Sequence, residues 1–85
     1  MTIIITIKTN ISNASFDIEV PDDVAVSIIL KDLAACMEKI MHVSLDPGNM
    51  ALSCDRLNII LDQNATLGEQ GVWNGDYIQL TYFQE

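Results

Sequence analysis

A single histidine, His42, is all the sequence offers for proton transfer near neutral pH, and two cysteines, Cys36 and Cys54, complete its short supply of nucleophiles and soft metal ligands. One imidazole and two thiols this far apart in the chain make neither a zinc ligand set nor a disulfide framework. Both thiols read as reduced and buried. Basic residues are scarce too: four Lys and Arg stand against twelve Asp and Glu, for a net charge of −8. That field repels phosphate backbones and anionic headgroups, so it argues against nucleic acid as a partner and favours a neutral or basic protein surface. No apolar run reaches the roughly 18 residues that cross a bilayer, so no direct membrane insertion is expected. The opening stretch MTIIITIK has neither a basic n-region nor a small-residue cleavage site, which predicts a cytoplasmic protein. Glycine-rich phosphate loops, metal-ligand spacings and paired carboxylates are missing as well. The expectation is a protein that is not an enzyme and holds no cofactor and no metal.

What the chain does have is apolar material, 49% of its 85 residues. A chain of this length buries only about 60 to 65 percent of its unfolded surface. Residues 1–85 are therefore read as one small domain in which each large apolar side chain counts.

Ile3, Ile5 and Ile7 alternate with Ile4, Thr6 and Lys8, the period-two pattern of a strand with one buried face. Asn10, Ser12, Asn13 and Ser15 then supply turn chemistry, which is also the reading given to the sequons at Asn10, Asn13 and Asn64. Phe16, Ile18 and Val20 alternate with Asp17 and Glu19 as a hairpin partner. Pro21 ends that strand, and Asp22 and Asp23 are suited to cap a helix beginning near Val24. Val26, Ile29, Leu30, Leu33, Met37, Ile40 and Met41 recur at spacings of three and four, which predicts one amphipathic helix with Ser27, Lys31, Asp32, Glu38 and Lys39 on its wet side.

Asp46-Pro47-Gly48 is a turn, after which Met50, Leu52 and Cys54 share a strand face. Ile59-Ile60-Leu61 forms a brief fourth strand. A single turn over 65–71 can drop Leu67 and Val72 into the core. Asn74-Gly75-Asp76 turns the chain into a last strand on which Ile78, Leu80 and Tyr82 alternate with Tyr77, Gln79 and Thr81. The two terminal strands are rich enough in β-branched residues to lie centrally. The expected fold is α+β: a β-grasp, with one main helix across a mixed five-stranded sheet.

The run Thr66-Leu67-Gly68-Glu69-Gln70-Gly71-Val72-Trp73-Asn74-Gly75-Asp76-Tyr77-Ile78-Gln79-Leu80 resembles the closing segment of ubiquitin-like domains, and Phe16 to Asp23 resembles their second strand and approach to the helix. With Gly71-Val72 followed by Asn74-Gly75-Asp76, the chain is most similar to the bacterial YukD/EsaB-like proteins of type VII secretion. That resemblance implies a small accessory or regulatory factor for export of WXG-type substrates by a membrane ATPase, with components of that secretion complex as partners.

Ubiquitin-like folds also act as modifiers and sulfur carriers, which requires a flexible terminal Gly-Gly that can enter an activating enzyme. Here Tyr82-Phe83-Gln84-Glu85 follows the last strand, so that activity is the alternative reading only if such a tail is absent from this sequence. An acidic inhibitor of the immunity type that masks a basic protein is a further alternative. The resemblance aligns ubiquitin's apolar receptor patch with Ala51, Gln79 and Thr81, which are small or polar, so partners of a different kind are expected. His42, at the end of the helix, suits the C-terminal dipole better than general-base work, and Cys36 points to another side of the helix. Candidate partner-binding residues are Ile4, Ile28, Trp73 and Tyr77, large apolar side chains that the pattern leaves outside the core. Ile4 and Tyr77 would share the open face of the sheet, where a homodimer could also form.

Overall fold

The computed structural model describes residues 1–13 and 15–83. Ala14, within one of the sequons, and Gln84 and Glu85, in the tail, lie outside the described residues.

β1, Thr2–Thr9, buries Ile3, Ile5 and Ile7 and turns Ile4 and Lys8 outward. β2, Ser15–Pro21, pairs antiparallel with it, with Ile5 opposite Ile18 and Ile7 opposite Phe16. The helix α1, Val26–Met41, crosses the sheet with Val26, Ile29, Leu30, Leu33, Ala34 and Met37 buried. After a short 3-10 turn at Pro47–Asn49 come β3, Met50–Cys54, then β4, Ile59–Ile60, and β5, Tyr77–Tyr82. The sheet order is β2-β1-β5-β3-β4, with β1 and β5 parallel and the other pairs antiparallel. The terminal strands are thus central, as their composition predicts, and the architecture is the α+β β-grasp.

The core lies between the helix and the inner face of the sheet. Ile5, Ile7, Leu30, Leu52, Leu67, Ile78 and Leu80 are all essentially inaccessible to solvent. Each such side chain contributes about 1.5 to 3 kcal/mol relative to leaving it exposed.

Residues 65–71 are held by bonds within the segment and by a bond to the approach of α1. Thr66 and Glu69 form a reciprocal capping pair: the Glu69 amide donates to Thr66 Oγ1 at 3.0 Å and the Thr66 amide to Glu69 Oε1 at 3.2 Å. This sets Leu67 into the core. The Gly68 amide donates to Asp22 O at 2.9 Å, and a Cβ at Gly68 would meet that same oxygen at 3.1 Å, so the approach is one that glycine permits without displacement.

The structure corrects the reading of the helix at both ends. Asp22 and Asp23 do not cap it. Ala25 is the N-cap and has no side-chain bond, while the Val26 and Ser27 amides donate to the carbonyls of Ala65 and Gln63 at 3.0 Å each. Carbonyls brought in by the fold replace the expected side-chain cap, and the Asp22 carboxylate instead pairs with the Met1 amine at 3.0 Å. At the far end, Ile40 is 72% exposed and Met41 is only partly buried. Cys36 is exposed as well, whereas Cys54 is buried as expected. Cys36 lies on the flank of the helix, one position before the buried Met37.

Candidate binding surface

The two aromatics singled out by sequence stand at the closing turn and its exit. Trp73 is 64% exposed and Tyr77 52%. Neither is loose. The turn is closed by the Asp76 amide donating to Trp73 O at 3.1 Å, and the Trp73 amide donates in return to Asp76 Oδ2 at 2.8 Å. Gly75 occupies φ +89 there, a conformation that glycine adopts without steric cost.

Beneath the turn lies a cluster the sequence reading missed. Arg56, in the turn between β3 and β4, donates from Nε to Asp76 Oδ1 and from Nη2 to Asp76 Oδ2, both at 2.9 Å, and also from Nη2 to the Gly71 carbonyl. Its guanidinium carbon lies 3.7 Å from the centre of the Trp73 ring, within cation–π range. The bidentate Arg56 holds the Asp76 carboxyl below its usual range. That effect and the bond from the Trp73 amide outweigh the opposing influence of burial. Asp76 in turn raises the pKa of Arg56. The available clue was that this basic-poor chain places its one Arg two residues after a buried strand position.

Tyr77 is backed in the same way. The Lys8 ammonium lies 4.9 Å from the centre of its ring, and Thr6 is its register partner on β1. Ile4 is two residues before Thr6 on the outward side of β1, and it is exposed. Its amide donates to Asn74 Oδ1 at 2.8 Å and its carbonyl accepts from the Gly75 amide at 2.7 Å. The closing turn is therefore bonded directly to the residue that neighbours Tyr77 on the open face. Ile28 does not join this group. It lies half-exposed on the helix, beside Glu19 and Pro21 of β2. Ala51 and Thr81 face each other as register partners on β3 and β5, and Ser53 pairs with Gln79.

His42 is the C-cap of α1 in left-handed conformation, its amide donating to Glu38 O at 2.9 Å. The buried Cys54 has its sulfur 3.8 Å from Asp76 Oδ2. Among the described residues no three His, Cys, Asp or Glu side chains gather to hold a metal ion, and no helix among them is long and apolar enough to cross a membrane.

Residues 2–80 match the family model described as "WXG100 protein secretion system (Wss), protein YukD". The chain belongs to the YukD family. No curated protein matches it. Solved structures agree on the fold of this YukD-family chain. The ubiquitin of Caldiarchaeum subterraneum superposes with a TM-score of 0.77 at 22% identity, over 100% of this chain and 98% of that one. The ubiquitin-like domain of Plasmodium falciparum Dsk2 gives a TM-score of 0.74 at 19% identity, over 98% and 100%. A chain of the toluene 4 monooxygenase HD complex gives 0.78 at 12% identity, over 98% and 100%. At such identities the likeness is one of fold alone. The family match adds that this YukD-family chain is a ubiquitin-like, secretion-associated protein.

Proposed function

We propose that the protein is a non-catalytic accessory or regulatory module of a type VII secretion system that acts in the cytoplasm by binding proteins, among them components of the membrane ATPase complex. The closing turn carries this reading. In a chain this short, large apolar side chains are needed inside, yet Trp73 and Tyr77 stand mostly in solvent, each backed by a cation on its own framework. A partner docking there would meet aromatic anchors whose ordering cost has largely been met on folding. Membership of the YukD family supplies the context of secretion. The net charge of −8 supports a neutral or basic partner surface. The small and polar positions Ala51, Gln79 and Thr81 support partners other than the receptors of ubiquitin itself. Residues 1–85 acting as one domain is part of the same reading.

Co-purification of the membrane ATPase with the tagged protein tests the proposal, comparing wild type with Trp73→Ala and Ile28→Ala. Trp73→Ala should lose the ATPase while keeping a folded circular dichroism spectrum. Recovery unchanged in both variants would move the binding surface elsewhere, and failure of the wild type to recover any secretion component would overturn the proposal.

A further inference from the structure

β2 is the edge strand on one side of the sheet, and the hydrogen-bonding of β1 shows which of its backbone groups are free. On β1 the Ile4 and Thr6 backbones bond toward the closing turn and the entry to β5: Ile4 O accepts from Gly75, and the Thr6 amide donates to Asp76 O at 3.0 Å. Successive strand residues point their N–H and C=O groups to opposite sides. Ile3, Ile5 and Ile7 therefore bond to β2 through their register partners Val20, Ile18 and Phe16. The intervening residues of β2, Asp17 and Glu19, direct their amides and carbonyls outward, along an edge that no strand covers among the described residues.

Below that edge, on the helix side, the structure is open and apolar. Two adjoining cavities of about 210 and 310 Å³ run between β2 and α1, and both are lined by Ile18 and Leu33. Ile28 and Ile29 line the first, and Phe16, Met37 and Ile40 the second. On the helix, Ile29 and Leu33 at the edge of the core stripe lead on, at spacings of three and four, to the exposed Cys36 and Ile40, so the apolar stripe broadens toward β2. This accounts for the exposure of Ile40 and Cys36, which the core does not explain.

The geometry points to a docking site for an extended segment of a partner protein, added as a further strand at the β2 edge, with apolar residues at alternate positions and Lys or Arg between them. Alternation follows from the pleat. Side chains on one face of the incoming strand would enter the groove beside Phe16 and Ile18, and those on the other would stand opposite Asp17 and Glu19. Asp17 already accepts from Thr6 Oγ1 at 2.6 Å on that outer face. No Lys or Arg lines either cavity, while Glu19 and Asp32 line the first. The same charges disfavour a second copy of this chain, because pairing β2 with its own copy would set Asp17 and Glu19 against like charges. The inference deepens the protein-binding reading and rests on it only in that respect, since its test is made with purified components and needs no secretion assay.

The probe is a capped peptide of about nine residues alternating Val with Lys, long enough to cover a strand. Controls replace Lys with Glu, or the central residue with Pro, which removes a backbone donor. NMR titration and amide exchange should show slowed exchange at Asp17 and Glu19. The Glu peptide should bind at least about ten-fold more weakly, and raised salt should weaken the Lys peptide. Ile40→Asp, at an exposed position that folding tolerates, should lower affinity by about ten-fold or more. Protection confined to the Ile4–Tyr77 face, equal affinity for the two charge patterns, no binding at about millimolar peptide, or a dimer of the protein that occupies β2 would each overturn the inference.

Discussion

Replacing Asp76 with Ala removes the one buried charged side chain among the described residues, 7% exposed, and the hub of the closing turn. Two losses follow. The Trp73 amide loses its acceptor at 2.8 Å, which costs about 1 to 3 kcal/mol where water cannot replace it. Arg56 loses a bidentate partner, but its side chain is 33% exposed, so water screens that pair and its loss adds little. The loss is about 1 to 3 kcal/mol, out of the roughly 4 to 13 kcal/mol usual for a chain of this length. A fall in melting temperature of roughly 5 to 20 °C corresponds to it. Urea unfolding followed by far-UV circular dichroism and by fluorescence of the sole tryptophan, Trp73, measures it directly. Asp76→Asn keeps an acceptor for the Trp73 amide and should lose less. Because the folded carboxyl titrates below its unfolded value, its contribution is complete above about pH 4 and disappears as pH falls toward the folded pKa. The difference between wild type and Asp76→Asn should therefore be flat from about pH 5 to 7 and shrink below about pH 4. An Asp76→Ala protein within about 0.5 kcal/mol of wild type, or a difference that grows on acidification, refutes the reasoning.

Leu67→Ala, in the closing segment, should cost about 2 to 5 kcal/mol in denaturant unfolding because its site is fully buried. Ile40→Ala should stay within about 0.5 kcal/mol of wild type in the same measurement, although both residues are apolar. Gly75→Ala should destabilise by about 1 to 2 kcal/mol through its φ of +89 alone, with an unchanged NMR fingerprint away from the turn, since nothing lies within 4 Å of the added methyl. A double-mutant cycle on Lys8 and Tyr77 should return about 0.5 to 1 kcal/mol of coupling, falling as salt is raised.

The strands and the core face of the helix were legible because each depends on local periodicity that the fold respects. Ile3, Ile5 and Ile7, or Met50, Leu52 and Cys54, are buried wherever a sheet with one covered face forms. What sequence could not show depends on residues far apart in the chain. The helix start was misread because the Val26 and Ser27 amides are served by Ala65 and Gln63, which come from a loop about forty positions on. Ile40 continues the helical spacing, yet its exposure is decided by how far β2 reaches over the helix. Asn10 reads as a turn residue, but its carboxamide bonds both the amide and the carbonyl of Tyr82, at 2.8 and 3.0 Å, and so extends the contact between the terminal strands. The four candidate contact residues are all exposed, but only Ile4 and Tyr77 stand near one another on the open sheet face, with Trp73 at the adjoining turn and Ile28 in the edge groove. The Thr66–Glu69 pair had a readable signal, the Thr-x-x-Glu spacing of a capping box. The Arg56–Asp76 pair had almost none.

Export of a WXG-type substrate by cells lacking the protein, resupplied with either wild type or a Trp73→Ala/Tyr77→Ala double variant at equal abundance, is the most direct measurement of whether this surface serves secretion. Wild type should restore export and the folded double variant should not. Full export with the double variant, or undiminished export without the protein at all, would contradict it.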